Sequence, residues 1–277
     1  MKTHKNLITT LILLSYYFIT AVTLSIVTKL GNTRPANTCS SMNRPLKTVI
    51  FQASTRTRRI GPKITAAVLN RLQSRRNVGT NDENTPGFDI TAVIDPRTWE
   101  DGYFMRLLEK PLFHYKQQED IPAPLRRTGA LIQAADLYLV ISSEMNHTIP
   151  PGLVNTMSHF GSTAYSFRPS GIITYSAGLW GGTRAGVALR PFLAELGCVP
   201  VSATVALPNA IKTLGGVVDD TYATTKEEPP QLPEPQSKML DRMFDQLEWN
   251  ARVLQQARQH HGPPSESYFQ QLRGTTK

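Results

Sequence analysis

The chain has 277 residues, 40% of them apolar and 18% charged, with a formal net charge of +9; this excludes global disorder and suffices for one α/β domain with extensions. The charge is polarised, because residues 1–81 hold 13 Lys or Arg and no Asp or Glu, against 17 basic and 21 acidic residues in the remainder. A nucleic-acid reader would need aromatic platforms or a docking element beside those cations and shows neither, while Cys39 and Cys198 alone exclude a disulfide framework or a Cys-x-x-Cys pair.

Residues 6–28, "NLITTLILLSYYFITAVTLSIVT", carry no charge and are about long enough to cross a bilayer as a helix. Residues 1–44 therefore read as a signal anchor and linker touching a membrane through residues 7–28. A cleaved signal and a dispensable extension upstream of Met42 are the alternatives. The positive-inside bias places the following domain in the cytosol, as would absence of the segment. Glycosylation of the sequon at Asn146 would block its loop in a lumen.

"LKTVIFQAS" (46–54) is an apolar, β-branched run and reads as a buried strand. "GPKITAAVLNRLQSRR" follows, with Pro62 in a first-turn position and Ile64, Ala67, Val68 and Leu72 at helical spacing. "FDITAVID" alternates as an edge strand does, and the proline-punctuated residues 109–127 read as a surface excursion. Next come a helix in "RRTGALIQAA", a strand in "DLYLVISS", a helix over 152–159 and a strand in "SGIITYS". "GTRAGVALRPFLAELG" is a helix that Pro191 should kink, and "CVPVSATVAL" is a fifth strand. After a polar linker, "SKMLDRMFDQLEWNARVLQQARQ" presents Leu240, Met243, Phe244, Leu247 and Val253 or Leu254 as one apolar stripe. Five strands alternating with helices imply a doubly wound parallel sheet over 45–210, with a linker and amphipathic helix over 211–277; ligands then bind at the strands' C-terminal ends.

Three loops meet at that edge. "STRTRRIGPK" sets Ser54, Arg56, Arg58, Arg59 and Lys63 before a helix N-terminus, a phosphate site without the Lys-Ser/Thr ending of a nucleotide-hydrolysing loop; a solvated basic loop is the bland reading. "SSEMNHTIPPG" offers Glu144, Asn146 and His147, more often turn formers than acid, ligand and base. In "TYSAGLWGGTRAG", Ser176 could be a nucleophile, with Asp219 or Asp220 and His260 or His261 following in hydrolase order. Position 174, however, is Thr where a nucleophile elbow needs Gly. Ser176, Gly178, Gly181 and Gly182 fit better as a loop admitting a flat ring. The six histidines are scattered and form no metal motif.

These three loops, in order over most of residues 46–210, resemble the NAD(P)H-dependent FMN reductase family. The resemblance implies a flavodoxin-like fold and bound FMN, reduced by NADPH or NADH and reoxidised by a small acceptor such as a flavin or quinone; a homodimer is left open. It places the FMN phosphate near Ser54, Arg56 and the Arg59, Ile60 and Gly61 amides. The isoalloxazine falls beside Glu144, Met145, Asn146, Tyr175, Ser176, Ala177 and Gly178. No general acid or nucleophile is implied, since the cofactor carries the chemistry. Ser143 and Met145 stand where the family commonly has Pro and Tyr, and arginines replace its serine-containing phosphate turn. A flavin-binding electron carrier or sensor with little turnover is the runner-up.

Overall fold

The computed structural model describes residues 44–78, 87–218 and 230–262, which fall in one compact unit. The anchor expected over residues 7–28, like Asp219 and Asp220, lies outside the described residues. Among those described, no helix is long and apolar enough to cross a membrane.

Five parallel strands form one sheet in the order β2-β1-β3-β4-β5, with β1 Leu46–Gln52, β2 Phe88–Ile94, β3 Leu137–Ser143, β4 Pro169–Tyr175 and β5 Val199–Leu207. This is the flavodoxin-like order. The central strands β3 and β4 are buried almost throughout, which is why they read as unbroken apolar runs, whereas β2 and β5 at the edges are only partly covered.

Helices α1 (Gly61–Val78) and α7 (Glu234–His261) cover one face, where Ile64 and Val68 meet Ile50 and Leu139, and Leu240, Phe244 and Leu247 join the same core. The other face is covered by α2 (Ala123–Ala134), α3 (Pro151–Ser158) and α5 (Thr183–Glu195), through Leu125, Ile132, Leu153, Leu189 and Leu193. The short helices α4 (Ser162–Tyr165) and α6 (Ala210–Thr213) complete the set. Each buried Leu side chain contributes about 1.5–3 kcal/mol through removal from water. Helix α5 runs past Pro191 without interruption.

The apolar stripe of α7 departs from the sequence reading. It continues from Leu247 to Ala251 and Gln255, while Val253 is exposed. Gln255 is buried because its amide reaches Asp136, whose carboxylate also takes both Nη atoms of Arg44. A polar anchor thus takes the buried position expected for Val253 or Leu254, the latter being only half-buried. Residues 99–120 contain three short 3-10 turns, with Phe104 buried. The excursion is pinned by Asn155 of α3, which donates to the carbonyls of Phe104 and Arg106 and accepts from the Leu108 amide.

Candidate functional site

At the C-terminal ends of β1, β3 and β4 the three loops enclose a cavity of about 160 Å³. Ser54, Arg56, Arg59, Ile60, Glu144, Met145, Tyr175, Ser176 and Ala177 line it, so one crevice gathers residues spread over 124 positions of sequence; Gly61, Asn146 and Gly178 do not line it. The sequence reading missed Ile211 and Val217, which close one side from the segment after β5. That segment is tied down where Val218 and Arg59 exchange backbone hydrogen bonds of 2.8 and 2.9 Å, and where Lys63 Nζ donates to the carbonyls of Leu214 and Gly215.

The first loop turns its arginines in opposite directions. Arg56 and Arg58 are exposed on the cavity rim. Arg59 is 3% exposed, and its guanidinium forks onto Asp95 with both N–O distances at 2.7 Å. It also donates to Gln52 Oε1 and the Ser54 carbonyl. The Arg59 amide is committed to Val218, so the phosphate contact that the resemblance implies for it is already engaged within the chain. By contrast the amides of residues 55–58 donate to no acceptor among the described residues. Consecutive undonated amides beside cations are the kind of group an anion binds through. Behind them, a Cβ on Gly61 would lie 2.8 Å from Gln52 Oε1 and 3.0 Å from the Tyr175 hydroxyl, so any larger residue at the head of α1 must displace one of these buried side chains.

In the second loop, Glu144 is 7% exposed at the side chain and held by Arg184: Oε1 accepts from Nε at 2.8 Å and Oε2 from the backbone amide at 3.1 Å. Burial pushes its carboxyl up, but the Arg184 guanidinium and the amides at the head of α5 outweigh it and hold the group below the usual carboxylate range. Glu144 is therefore an ionised strut between two loops. Met145 and Thr148 exchange backbone hydrogen bonds of 3.1 and 3.0 Å across a tight turn whose central residues have positive φ, Asn146 at 50° and His147 at 65°. That geometry makes both turn formers.

The third loop divides its glycines. Gly182 (φ 79°) comes so close to β4 that a Cβ would sit 2.8 Å from the Tyr175 backbone nitrogen and oxygen, and on Gly181 (φ 60°) it would sit 3.0 and 3.1 Å from the Pro208 and Leu207 nitrogens. These two serve chain packing, a correction to their reading as space for a ring. A Cβ on Gly178 would meet nothing within 4 Å. Tyr175 is 3% exposed, and burial pushes its hydroxyl pKa up to about 12. Its oxygen lies beside Ser54 and Ser143 without hydrogen-bonding geometry to either.

Ser176 Oγ donates to the Gly178 carbonyl at 3.0 Å. His260 and His261 are exposed at the end of α7, just past Arg258, whose guanidinium bonds Phe167 and lies 3.6 Å from Asp136 at the opposite end of the strands. The hydrolase arrangement is therefore not assembled. Among the described residues no group of His, Cys, Asp and Glu could hold a metal.

Comparison with known proteins bears on this site. The model of a family described as NADPH-dependent FMN reductase matches residues 46–212. A search of curated proteins found no match. Among solved structures, the chain is similar to FerB, a flavoenzyme NAD(P)H:(acceptor) oxidoreductase from Paracoccus denitrificans, at 17% identity over 74% of this chain and 98% of that one, TM-score 0.49. It is also similar to the apo form of the NADH:FMN oxidoreductase EMOB (13% identity, 72% and 88% covered, TM-score 0.43). An archaeal flavodoxin gives 10% identity, 75% and 99% coverage and a TM-score of 0.41. At such identities these likenesses assign no activity.

Proposed function

Because the chain belongs to the NADPH-dependent FMN reductase family, we propose that it takes hydride from a reduced nicotinamide nucleotide and delivers the electrons to a small acceptor, a flavin or quinone, with FMN held where the three loops converge. The observation that carries this reading is the run 55–58, whose amides donate to no acceptor among the described residues and whose Thr55, Arg56 and Arg58 line the same cavity as Met145 and Ala177. A phosphate ester needs the first set of groups, and an aromatic ring needs the second.

When bound, FMN supplies the hydride- and electron-accepting chemistry. The chain's own residues bind and orient. The amides of residues 55–58 would hold the phosphate, with Arg56 and Arg58 countering its charge. Met145, Ser176 and Ala177, which line the cavity, would hold the ring, the thioether offering it an apolar contact. The Glu144–Arg184 pair fixes the separation of the second and third loops, and hence the width of the slot. Neither Glu144, held ionised, nor Tyr175, with a buried hydroxyl, is set to give up a proton to substrate. A membrane tether through residues 7–28, leaving this domain in the cytosol, belongs to the same proposal and is tested by flotation of the full chain with lipid vesicles.

Spectroscopy of the purified chain tests the reading. It should take up FMN, lose the oxidised flavin absorption on anaerobic addition of NADPH or NADH, and regain it with a quinone. Uptake of FMN without bleaching would make it an electron carrier; a chain that takes up no FMN would end the proposal.

A further inference from the structure

We infer that Asp95, which does not itself line the cavity, is a positioning residue for the phosphate end of the site, acting through Arg59; this rests on the FMN reading above. Asp95 is 7% exposed at the end of β2, and its carboxylate engages both Nη atoms of Arg59. Its Oδ1 also accepts from the Arg97 amide at 3.1 Å. The two arginines it gathers reach into the phosphate loop from behind: Arg59 donates to the Ser54 carbonyl, and Arg97 to the Thr55 carbonyl at 3.3 Å.

In a trans peptide the carbonyl of one residue and the amide of the next point in opposite directions. Drawing the Ser54 and Thr55 carbonyls onto guanidinium groups therefore turns the Thr55 and Arg56 amides the other way. Those are two of the amides that donate to nothing among the described residues. Asp95 has a second effect. By neutralising Arg59 it lets that guanidinium remain buried as a scaffold for the loop, while the exposed charge facing an anion comes from Arg56 and Arg58. Arg59 is thus one of the arginines that replace the serine-containing phosphate turn, yet it works from behind the turn.

Riboflavin, which carries the same ring without the phosphate, separates positioning from mere folding. The affinities of the full chain for FMN and riboflavin are measured by flavin fluorescence, for the wild type, Asp95→Asn and Asp95→Glu. Asp95→Asn should weaken FMN binding about tenfold, the scale of one charge-assisted hydrogen bond. Riboflavin affinity should be unchanged, and Asp95→Glu should restore part of the preference. Should Asp95→Asn fail to fold, Arg59→Lys replaces it: an ammonium cannot fork onto the carboxylate and hold the Ser54 carbonyl as well, so the same selective loss is expected. Equal weakening toward both flavins, or tighter FMN binding by a released Arg59, overturns the inference while leaving the FMN reading intact. A wild-type chain that binds neither flavin removes that reading and the inference with it.

Discussion

Replacing Gly182 by Ala should be among the costlier single-methyl additions near the site. Gly182 has φ 79° and ψ 18°, and the new Cβ would lie 2.8 Å from both the nitrogen and the oxygen of Tyr175 and 2.9 Å from Thr174 Cβ. The left-handed backbone costs an L-residue about 1–2 kcal/mol. Forcing a methyl into packed atoms costs a further ~1–3 kcal/mol, and here two of the opposing atoms are sheet backbone, which cannot rotate aside. The combined loss of about 2–5 kcal/mol is a large share of the roughly 5–15 kcal/mol that holds a domain together. Urea denaturation of Gly182→Ala and Gly178→Ala provides the assay. Gly178 has nothing within 4 Å of its Cβ position, so its substitution should change stability by no more than about 0.5 kcal/mol. Wild-type stability in Gly182→Ala, or equal losses in the two variants, would refute the division of the third loop into packing and open glycines.

Arg184→Ala removes the partner of buried Glu144, and because Arg184 is 39% exposed the loss at neutral pH is screened to about 1–2 kcal/mol. Without the guanidinium, burial raises the folded-state pKa of Glu144. The variant should then regain stability relative to wild type as pH falls toward about 4, where the carboxyl protonates, in denaturation curves taken across that range. His159 is 4% exposed, with Nδ1 2.7 Å from the Asn155 carbonyl; burial pushes its pKa below the ordinary imidazole value against that hydrogen bond. The unfolded chain therefore binds the proton first, and stability is lost as pH falls through about 6.5 by at most ~1.4 kcal/mol per unit; thermal melts of His159→Phe should lack this component. Arg56→Gln and Arg58→Gln should each weaken FMN binding up to about fivefold at low salt and flatten its salt dependence, as for exposed charges, without altering riboflavin affinity in the same titrations.

The strands and most helices were legible because their burial pattern is local: β3 and β4, covered on both faces, are continuous apolar runs. The loops were legible as a group, since parallel strand order fixes which turns share an edge. Their internal wiring was not. Arg56, Arg58 and Arg59 look alike in sequence, yet the first two face solvent and the third is buried, because its partner Asp95 sits 36 residues away at the end of a neighbouring strand. Glu144 and Arg184 are 40 residues apart, so neither announces that the other will occupy it. A second Asp, just past the end of the alternating edge strand, was the one available sign of the first pair. No comparable sign marked Gln255 as the buried continuation of the α7 stripe, because a polar residue at a helical spacing reads as a solvent face until Asp136 is placed beneath it.

Hydrogen–deuterium exchange across residues 55–58 tests the site most directly. Their amides donate to nothing among the described residues, so they should exchange fast in the unliganded chain. Saturating FMN should protect them, while saturating riboflavin protects only the segments around Met145 and Ala177. Protection by both flavins alike, or FMN binding that leaves residues 55–58 exchanging as before, would contradict the assignment of the phosphate to this loop.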